Sequence, residues 1–244
     1  ICGSHIGSKA LAGKAFRQGF FWLTTLQDAT ALVTKCEAYQ FHSKKLHQPA
    51  QALQTIPLSC PFSVWGLDIL GPFPRAVGGF EYLYIAIDKF TKWPMVEAVR
   101  KVTAQSAIKF FKGLVCYFGV PNRVTTDNGT QFTSRTFMQY VQDLGAKVCF
   151  TSVAHPRSNG QAERANAEVL RGLKTRTFDR LSKCGKNWIE ELPVVLWSIR
   201  TTPNRATGQT PFALVCGAEA VLPTELVYGS PRVLAYDELE QEQL

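Results

Sequence analysis

The stretch Thr125-Thr126-Asp127-Asn128-Gly129-Thr130-Gln131-Phe132 connects a short predicted strand to a predicted helix, and it places an acidic residue where the strand ends. Residues 123–126 predict that strand, and residues 132–144 predict the helix that follows it. Ligand sites in open α/β sheets collect at the C-terminal ends of strands. Asp127 is therefore the first candidate for a functional side chain.

Two further acidic residues extend this candidate site. Asp68 lies inside a predicted strand at residues 62–70, where a charge is costly unless it binds a metal ion or pairs. Glu163 falls about one turn into a predicted helix, so its side chain can point back toward the sheet. Thirty-five residues separate Glu163 from Asp127. Three carboxylates on one fold can hold two divalent metal ions, which activate an attacking oxygen and stabilise a leaving oxygen in phosphoryl transfer.

Each of these acids, taken alone, also has an ordinary structural interpretation. An aspartate after a strand is usually a turn residue, and a glutamate early in a helix usually serves the helix dipole. Only the three together favour a metal site. Asp88 could be a fourth carboxylate, but a strand-end aspartate before Lys89 is the more ordinary interpretation.

The pattern of apolar residues predicts an α/β protein with a mixed sheet, since three strands, a helix, a strand, a helix and a strand precede the last helices. Gly78-Gly79 is the predicted turn between the first two strands. The predicted strands are 62–70, 80–88, 93–99, 123–126 and 147–152, and the predicted helices are 9–40, 103–118, 132–144, one from residue 158, 187–201 and 210–217.

Charge and cysteine content restrict the partners. The net charge is +8, the body of the chain is basic and the tail is acidic, so the body favours a polyanion such as DNA. The seven cysteines are scattered without a Cys-x-x-Cys pair, which indicates a reducing compartment. No apolar run reaches the roughly 18 residues of a membrane span. Because the sequence starts at Ile1, we expect a fragment, a processed polyprotein product or a truncated gene.

Longer motifs around the three acids carry a family resemblance. They are Trp65-Gly66-Leu67-Asp68-Ile69-Leu70-Gly71-Pro72, His155-Pro156-Arg157-Ser158-Asn159-Gly160-Gln161-Ala162-Glu163, Arg200-Thr201-Thr202-Pro203 and Thr207-Gly208-Gln209-Thr210-Pro211-Phe212. With Asp127 they resemble the D,D-35-E signature of retroviral and retrotransposon integrases, above all those of gypsy-type long-terminal-repeat elements of plants. The resemblance extends from Gly3 to Glu225. It implies an RNase H-like fold, a five-stranded mixed sheet flanked by helices, with a small helical N-terminal segment.

The resemblance also implies a function. Asp68, Asp127 and Glu163 would be the catalytic residues and the ligands of Mg²⁺, with Mn²⁺ able to substitute. The chain would trim the 3′ ends of element DNA and join them to target DNA, as a homo-oligomer, in the nucleus after a cytoplasmic particle stage, and without a membrane partner. The candidate DNA-binding residues are Asn159, Gln161, Arg164, Asn166, Arg171 and Lys174.

The N-terminal zinc motif of the family is incomplete in this sequence. His5 and Cys36 match one ligand of each His-His and Cys-Cys pair, and Tyr39 stands where the second Cys belongs. Structural zinc needs four ligands, so Zn²⁺ is not expected to bind. The predicted organisation is a degenerate zinc-binding segment (1–41), a linker (42–60), the catalytic core (61–225) and an acidic tail (226–244).

Two other functions remain open. A decayed or co-opted element would bind nucleic acid or a protein partner without catalysis; the incomplete zinc motif favours this, and the intact acidic triad opposes it. An RNase H-like nuclease would cleave RNA–DNA hybrids; the absence of a clear fourth carboxylate counts against it.

Overall fold

A five-stranded sheet forms the centre of the protein. The computed structural model describes residues 6–36, 60–127, 129–150, 160–177 and 187–234. The strands lie in the order β3-β2-β1-β4-β5. Their bounds are β1 (Val64–Leu70), β2 (Tyr82–Asp88), β3 (Pro94–Val99), β4 (Arg123–Thr126) and β5 (Lys147–Phe150). All five coincide with predicted strands to within a few residues.

The sheet is mixed, as predicted. β1, β2 and β3 are paired antiparallel, whereas β4 lies parallel to β1 and β5 parallel to β4. Gly78 and Gly79, in the connection between β1 and β2, both have positive φ, 83° and 78°. Two successive residues with positive φ are favourable for glycine, and they turn the chain tightly between antiparallel strands.

The described part of the chain contains ten helices, of which those within residues 104–200 cover the two faces of the sheet. They are α1 (Ser8–Arg17), α2 (Thr25–Lys35), α3 (Ala104–Phe118), α4 (Thr130–Thr133), α5 (Arg135–Asp143), α6 (Gly160–Arg176), α7 (Trp188–Arg200), α8 (Pro211–Cys216), α9 (Pro223–Tyr228) and α10 (Pro231–Leu234). None of the helices in the described ranges is long and apolar enough to cross a membrane.

Two hydrophobic clusters hold these layers together, one on each face. On the first face, Trp65 and Leu67 of β1 pack with residues of α3, α4 and α5, including Phe110 and Phe132. On the second face, Leu83 and Ile85 of β2 pack with Val169 and Leu173 of α6 and with Trp188 of α7. Because alternate strand residues point to opposite faces, Asp68 lies on the α6 face, away from Trp65 and Leu67.

Two predicted helices are each divided in the structure. The predicted helix 9–40 becomes α1 and α2, since Gly19 at φ 82° follows the end of α1. The predicted helix 132–144 is interrupted at Ser134, which is extended and accepts a hydrogen bond from the backbone N–H of Phe137 as the N-cap of α5. A capping serine offers the backbone an alternative to continuing the preceding helix.

The last described residues form a compact unit that contacts α1. Arg17 Nη2 donates to the carbonyl oxygen of Gly208 (3.3 Å), and Arg17 also lies 3.7 Å from a carboxylate oxygen of Glu219. The fully buried Glu225 accepts two hydrogen bonds of 2.6 Å from Arg232. The boundary that the sequence placed between residues 225 and 226 therefore falls inside α9; the division into domains as such stays a prediction.

Candidate active site

Asp68 and Asp127 stand on two neighbouring parallel strands. The paired residues of β1 and β4 run from Val64 opposite Arg123 to Gly66 opposite Thr125. Asp68 and Asp127 each follow two residues beyond that last pair, so they reach the same level of the sheet on the same face. The sequence predicted each position separately, and the register brings the two together.

Asp68 is half-buried, and both of its carboxylate oxygens accept hydrogen bonds. Oδ1 accepts from the backbone N–H of Ile69 (2.8 Å), and Oδ2 accepts from Nδ2 of Asn166 (2.5 Å). Asn166 belongs to α6, the helix that also carries Glu163. One hydrogen bond therefore connects the strand of the first acid to the helix of the third, across 98 residues of sequence.

The pKa of Asp68 is raised to about 6. Burial is the largest cause, and the negative charges of Asp127 and Glu163 raise it further, against the hydrogen bonds from Ile69 and Asn166. Burial disfavours a charged carboxylate, and like charges nearby add to the effect. The three acids of the predicted triad thus share one electrostatic neighbourhood, in which a bound cation would be stabilising.

Asp127 and Glu163 are both exposed to solvent. Oδ1 of Asp127 accepts a hydrogen bond from the backbone N–H of Gly129 (3.2 Å), which orients it at the end of β4. Within the described part of the chain, no three His, Cys, Asp or Glu side chains are grouped closely enough to hold one metal ion. The donors have the chemistry that Mg²⁺ and Mn²⁺ prefer, but the side chains do not form a closed ligand set.

Asn166, one of the candidate DNA-binding residues, is buried beside Asp68. Only 8% of it is exposed, and its amide donates a hydrogen bond to Asp68. Its Oδ1 is buried without a hydrogen-bond partner among the described residues. We interpret Asn166 as a residue that orients Asp68, while a contact with DNA stays a prediction. The signal in the sequence was its spacing of three residues from Glu163, which places both on one face of α6.

The other candidate DNA-binding residues divide into two groups. Arg164 and Arg171 are exposed on α6 and Lys174 is partly exposed, so all three can reach a phosphate. Asn159 and the side chain of Gln161 lie outside the described residues. The same holds for His5 of the predicted zinc motif, whereas Cys36 directly follows α2 and is partly buried.

Asp88 does not join the acidic cluster. It pairs with Trp65, whereas Asp68 pairs with Ile85, so Asp88 lies three residues away along the strands. Its Oδ2 accepts hydrogen bonds from the backbone N–H and the hydroxyl of Thr91, at 2.8 and 2.7 Å. These bonds give Asp88 the structural role of closing the turn between β2 and β3.

The chain is similar in sequence to known integrase domains and transposon polyproteins. Residues 59–156 match the family model described as Integrase core domain, a range that contains Asp68 and Asp127 and ends before Glu163. The chain is 26% identical over 249 residues to the Transposon Tf2-3 polyprotein of Schizosaccharomyces pombe, and the Tf2-4 polyprotein matches equally. The alignment covers 98% of this chain and 18% of the polyprotein, so the chain spans less than a fifth of the curated relatives' length.

A solved structure shows the same architecture. A chain of the simian T-cell lymphotropic virus intasome, solved in complex with PP2A regulatory subunit B56 gamma, superposes with a TM-score of 0.60 at 19% identity. That match covers 90% of this chain and 72% of the other. The magnesium-bound HTLV-2 integrase catalytic core domain, in its trimeric form, matches with a TM-score of 0.49 at 19% identity, over 63% of this chain and 96% of that one. The five-stranded mixed sheet and the match to the intasome chain give the RNase H-like fold expected from the sequence.

Proposed function

We propose that this chain is the catalytic core of a retrotransposon integrase of the gypsy type, which processes and joins DNA ends by metal-dependent phosphoryl transfer. The observation that carries the proposal is the environment of Asp68. Asp68 accepts a hydrogen bond from Asn166, on the helix that carries Glu163, and the negative charges of Asp127 and Glu163 raise its pKa. The matched Integrase core domain model and the Tf2 polyproteins support the same assignment.

The three carboxylates fit a divalent metal in their chemistry. Asp68, Asp127 and Glu163 would hold Mg²⁺ or Mn²⁺, since hard oxygen donors suit both ions. When bound, the metal supplies Lewis-acid activation of the attacking oxygen and charge stabilisation of the leaving oxygen. The pKa of Asp68 is raised chiefly by burial and further by the charges of Asp127 and Glu163, and a bound cation would favour its charged form.

The protein's own residues position the reactants. Asn166 and the Ile69 amide fix the orientation of the Asp68 carboxylate, so that it need not reorganise as charge develops. Exposed Arg164 and Arg171 on α6 would bind phosphates of the DNA beside the acids. Phosphoryl transfer relies on positioning and charge stabilisation, so no serine or tyrosine nucleophile is required.

The wider setting is part of the same proposal. The substrates are the DNA ends of a mobile element, plant-like in its resemblance, and a target DNA. The active form is a homo-oligomer, because two ends must be joined together, and the site of action is the nucleus. Zn²⁺ has no place in this proposal, because Tyr39 stands where the family motif has its second Cys ligand beside Cys36.

One observation favours the second candidate, a DNA-binding remnant without catalysis. Asp127 and Glu163 are exposed, and in the described part of the chain they do not close around a metal position with Asp68. Such a protein would keep the basic surface of α6 and lose only the reaction. The two candidates therefore differ in catalysis and agree in DNA binding.

The deciding experiment is joining, or its reversal, on a branched DNA substrate with Mg²⁺ or Mn²⁺. Glu163→Gln is compared with the wild-type chain, and Glu168→Gln on the same helix is the matched control. Metal-dependent joining that is lost in Glu163→Gln and kept in Glu168→Gln supports the integrase core. A folded chain that binds DNA, measured by fluorescence anisotropy, but joins nothing is the remnant. Cleavage of an RNA–DNA hybrid instead identifies an RNase H-like nuclease.

A further inference from the structure

A buried lysine, Lys89, contacts the strand pair that precedes Asp68 and Asp127. Lys89 directly follows β2 and is only 9% exposed. Its Nζ donates a hydrogen bond of 3.0 Å to Oγ1 of Thr125 on β4, which is 5% exposed. A lysine amine is rarely buried in this way, because leaving water is costly unless its hydrogen bonds are replaced. The hydroxyl of Thr125 provides one of these replacements.

This hydrogen bond crosses an entire strand. β1 lies between β2 and β4 in the sheet, so the Lys89 side chain passes over β1 to reach Thr125. The residue of β1 that pairs with Thr125 is Gly66, which has no side chain to obstruct the crossing. The backbone N–H of Lys89 also donates to the carbonyl oxygen of Val64 (2.9 Å). One residue thus connects the ends of three strands.

The crossing lies at the last pair that joins β1 to β4. Pairing between these strands ends at Gly66 and Thr125, and Asp68 and Asp127 follow two residues later. Two residues of strand span about 6.6 Å. Asp68 and Asp127 therefore lie where β1 and β4 are no longer paired to each other. The hydrogen bond from Lys89 is made at the last pair before them, Gly66 and Thr125.

We propose that Lys89 is a positioning residue for the acidic site, which fixes the separation of Asp68 and Asp127 through its hydrogen bond to Thr125. The inference rests on the proposed function, in which these two carboxylates hold a divalent metal. Residues that orient metal ligands from behind commonly change metal affinity when they are mutated. A brace that only stabilises the sheet would change the melting temperature and leave the affinity of the folded protein unaltered.

The test measures Mn²⁺ binding to the full chain by electron paramagnetic resonance of the free ion, independently of DNA joining. Lys89→Met removes the donor and keeps the length of the side chain. Thr125→Val removes only the acceptor and keeps a β-branched residue in the strand, so it remains informative if Lys89→Met fails to fold. Lys112→Met, an exposed lysine on α3, is the matched control for the loss of one positive charge.

We expect each folded variant to raise the Mn²⁺ dissociation constant about tenfold, and the double variant to be no weaker than either single one, because both remove the same bond. Lys112→Met leaves the constant unchanged. Unchanged Mn²⁺ affinity in folded Thr125→Val overturns the inference and leaves the proposed function standing. If the wild-type chain binds no Mn²⁺, the proposed metal site is overturned, and the inference about Lys89 is overturned with it.

Discussion

Replacing Asn166 by alanine should raise the pKa of Asp68. The substitution deletes the 2.5 Å hydrogen bond to Oδ2 and leaves the bond from the Ile69 amide in place. A hydrogen bond to a charged group contributes about 1.5–3 kcal/mol, and Asp68 is only half-buried, so the lower figure applies. Asn166 is the smallest of the influences on this pKa, and 1.36 kcal/mol corresponds to one pKa unit, so a rise of about one unit from about 6 is the upper bound.

This change has a calculable effect on metal binding. A carboxyl group with a pKa of about 6 is roughly 10% protonated at pH 7, and one with a pKa of about 7 is about half protonated. Proton competition alone should therefore weaken Mn²⁺ binding by at most about twofold at pH 7 and about fivefold at pH 6, because metal ligands must be deprotonated. Loss of orientation would add an effect that does not depend on pH.

The assay is a pH titration of the metal-free protein, followed by ¹³C NMR of the aspartate carboxyl groups. Asp68 is assigned by its loss in Asp68→Asn. Asn122→Ala, which removes an exposed asparagine bonded to Ser63 at the far end of β1 and β4, is the control. A pKa of Asp68 that is equal in Asn166→Ala and wild type would refute the reasoning, since it would show that the Asn166 amide does not stabilise the charged carboxylate.

Three further predictions concern stability. Asp68→Asn should raise the melting temperature of the metal-free protein at pH 7.5, and this increase should disappear toward pH 4. The reason is that a carboxyl group with a raised folded-state pKa makes the folded protein less stable as the pH rises through that pKa. Equal melting temperatures of the variant and the wild type at pH 7.5 would contradict the prediction. Arg232→Met should lower the free energy of unfolding in urea by roughly 3 kcal/mol, because it leaves the fully buried Glu225 without its charged partner; a loss near zero would show that the pair is dispensable. Leu173→Ala should cost about 2–5 kcal/mol in the same assay, since Leu173 is fully buried between α6 and the sheet, whereas exposed Leu226→Ala serves as the control.

The sheet was predictable because its signals are local. Strand alternation and the Gly78-Gly79 turn fixed β1, β2 and their antiparallel pairing within a few residues of sequence. The helix boundaries were harder to predict from the sequence. Periodicity alone suggested continuous helices, whereas the Ser134 cap and the residues after α1 interrupt them. α9 and α10 were missed because the acidic composition after residue 225 resembled a tail.

One part of the candidate site was also predictable from the sequence, and another part was not. The three acids were found from their local motifs, and the strand-end rule anticipated the position of Asp127. The residues that orient them act over long distances in sequence. Asn166 bonds to Asp68 across 98 residues, and Lys89 to Thr125 across 36. The spacing from Glu163 placed Asn166 on the right face of α6 but did not identify Asp68 as its partner. The bond from Lys89 to Thr125 depends on the strand order and on the missing side chain at Gly66.

The contact of α1 with the last helices has a consequence for biosynthesis. Arg17 bonds to Gly208 and lies beside Glu219, and a Cβ on Gly19 would approach Pro231 to 2.9 Å. These partners leave the ribosome about 190 residues after α1 does; Arg17 and Gly208 are 191 positions apart. Contacts of such long range form late, because the intervening chain must be ordered first. During translation, α1 is therefore available to chaperones or to neighbouring copies for as long as the sheet takes to emerge and fold.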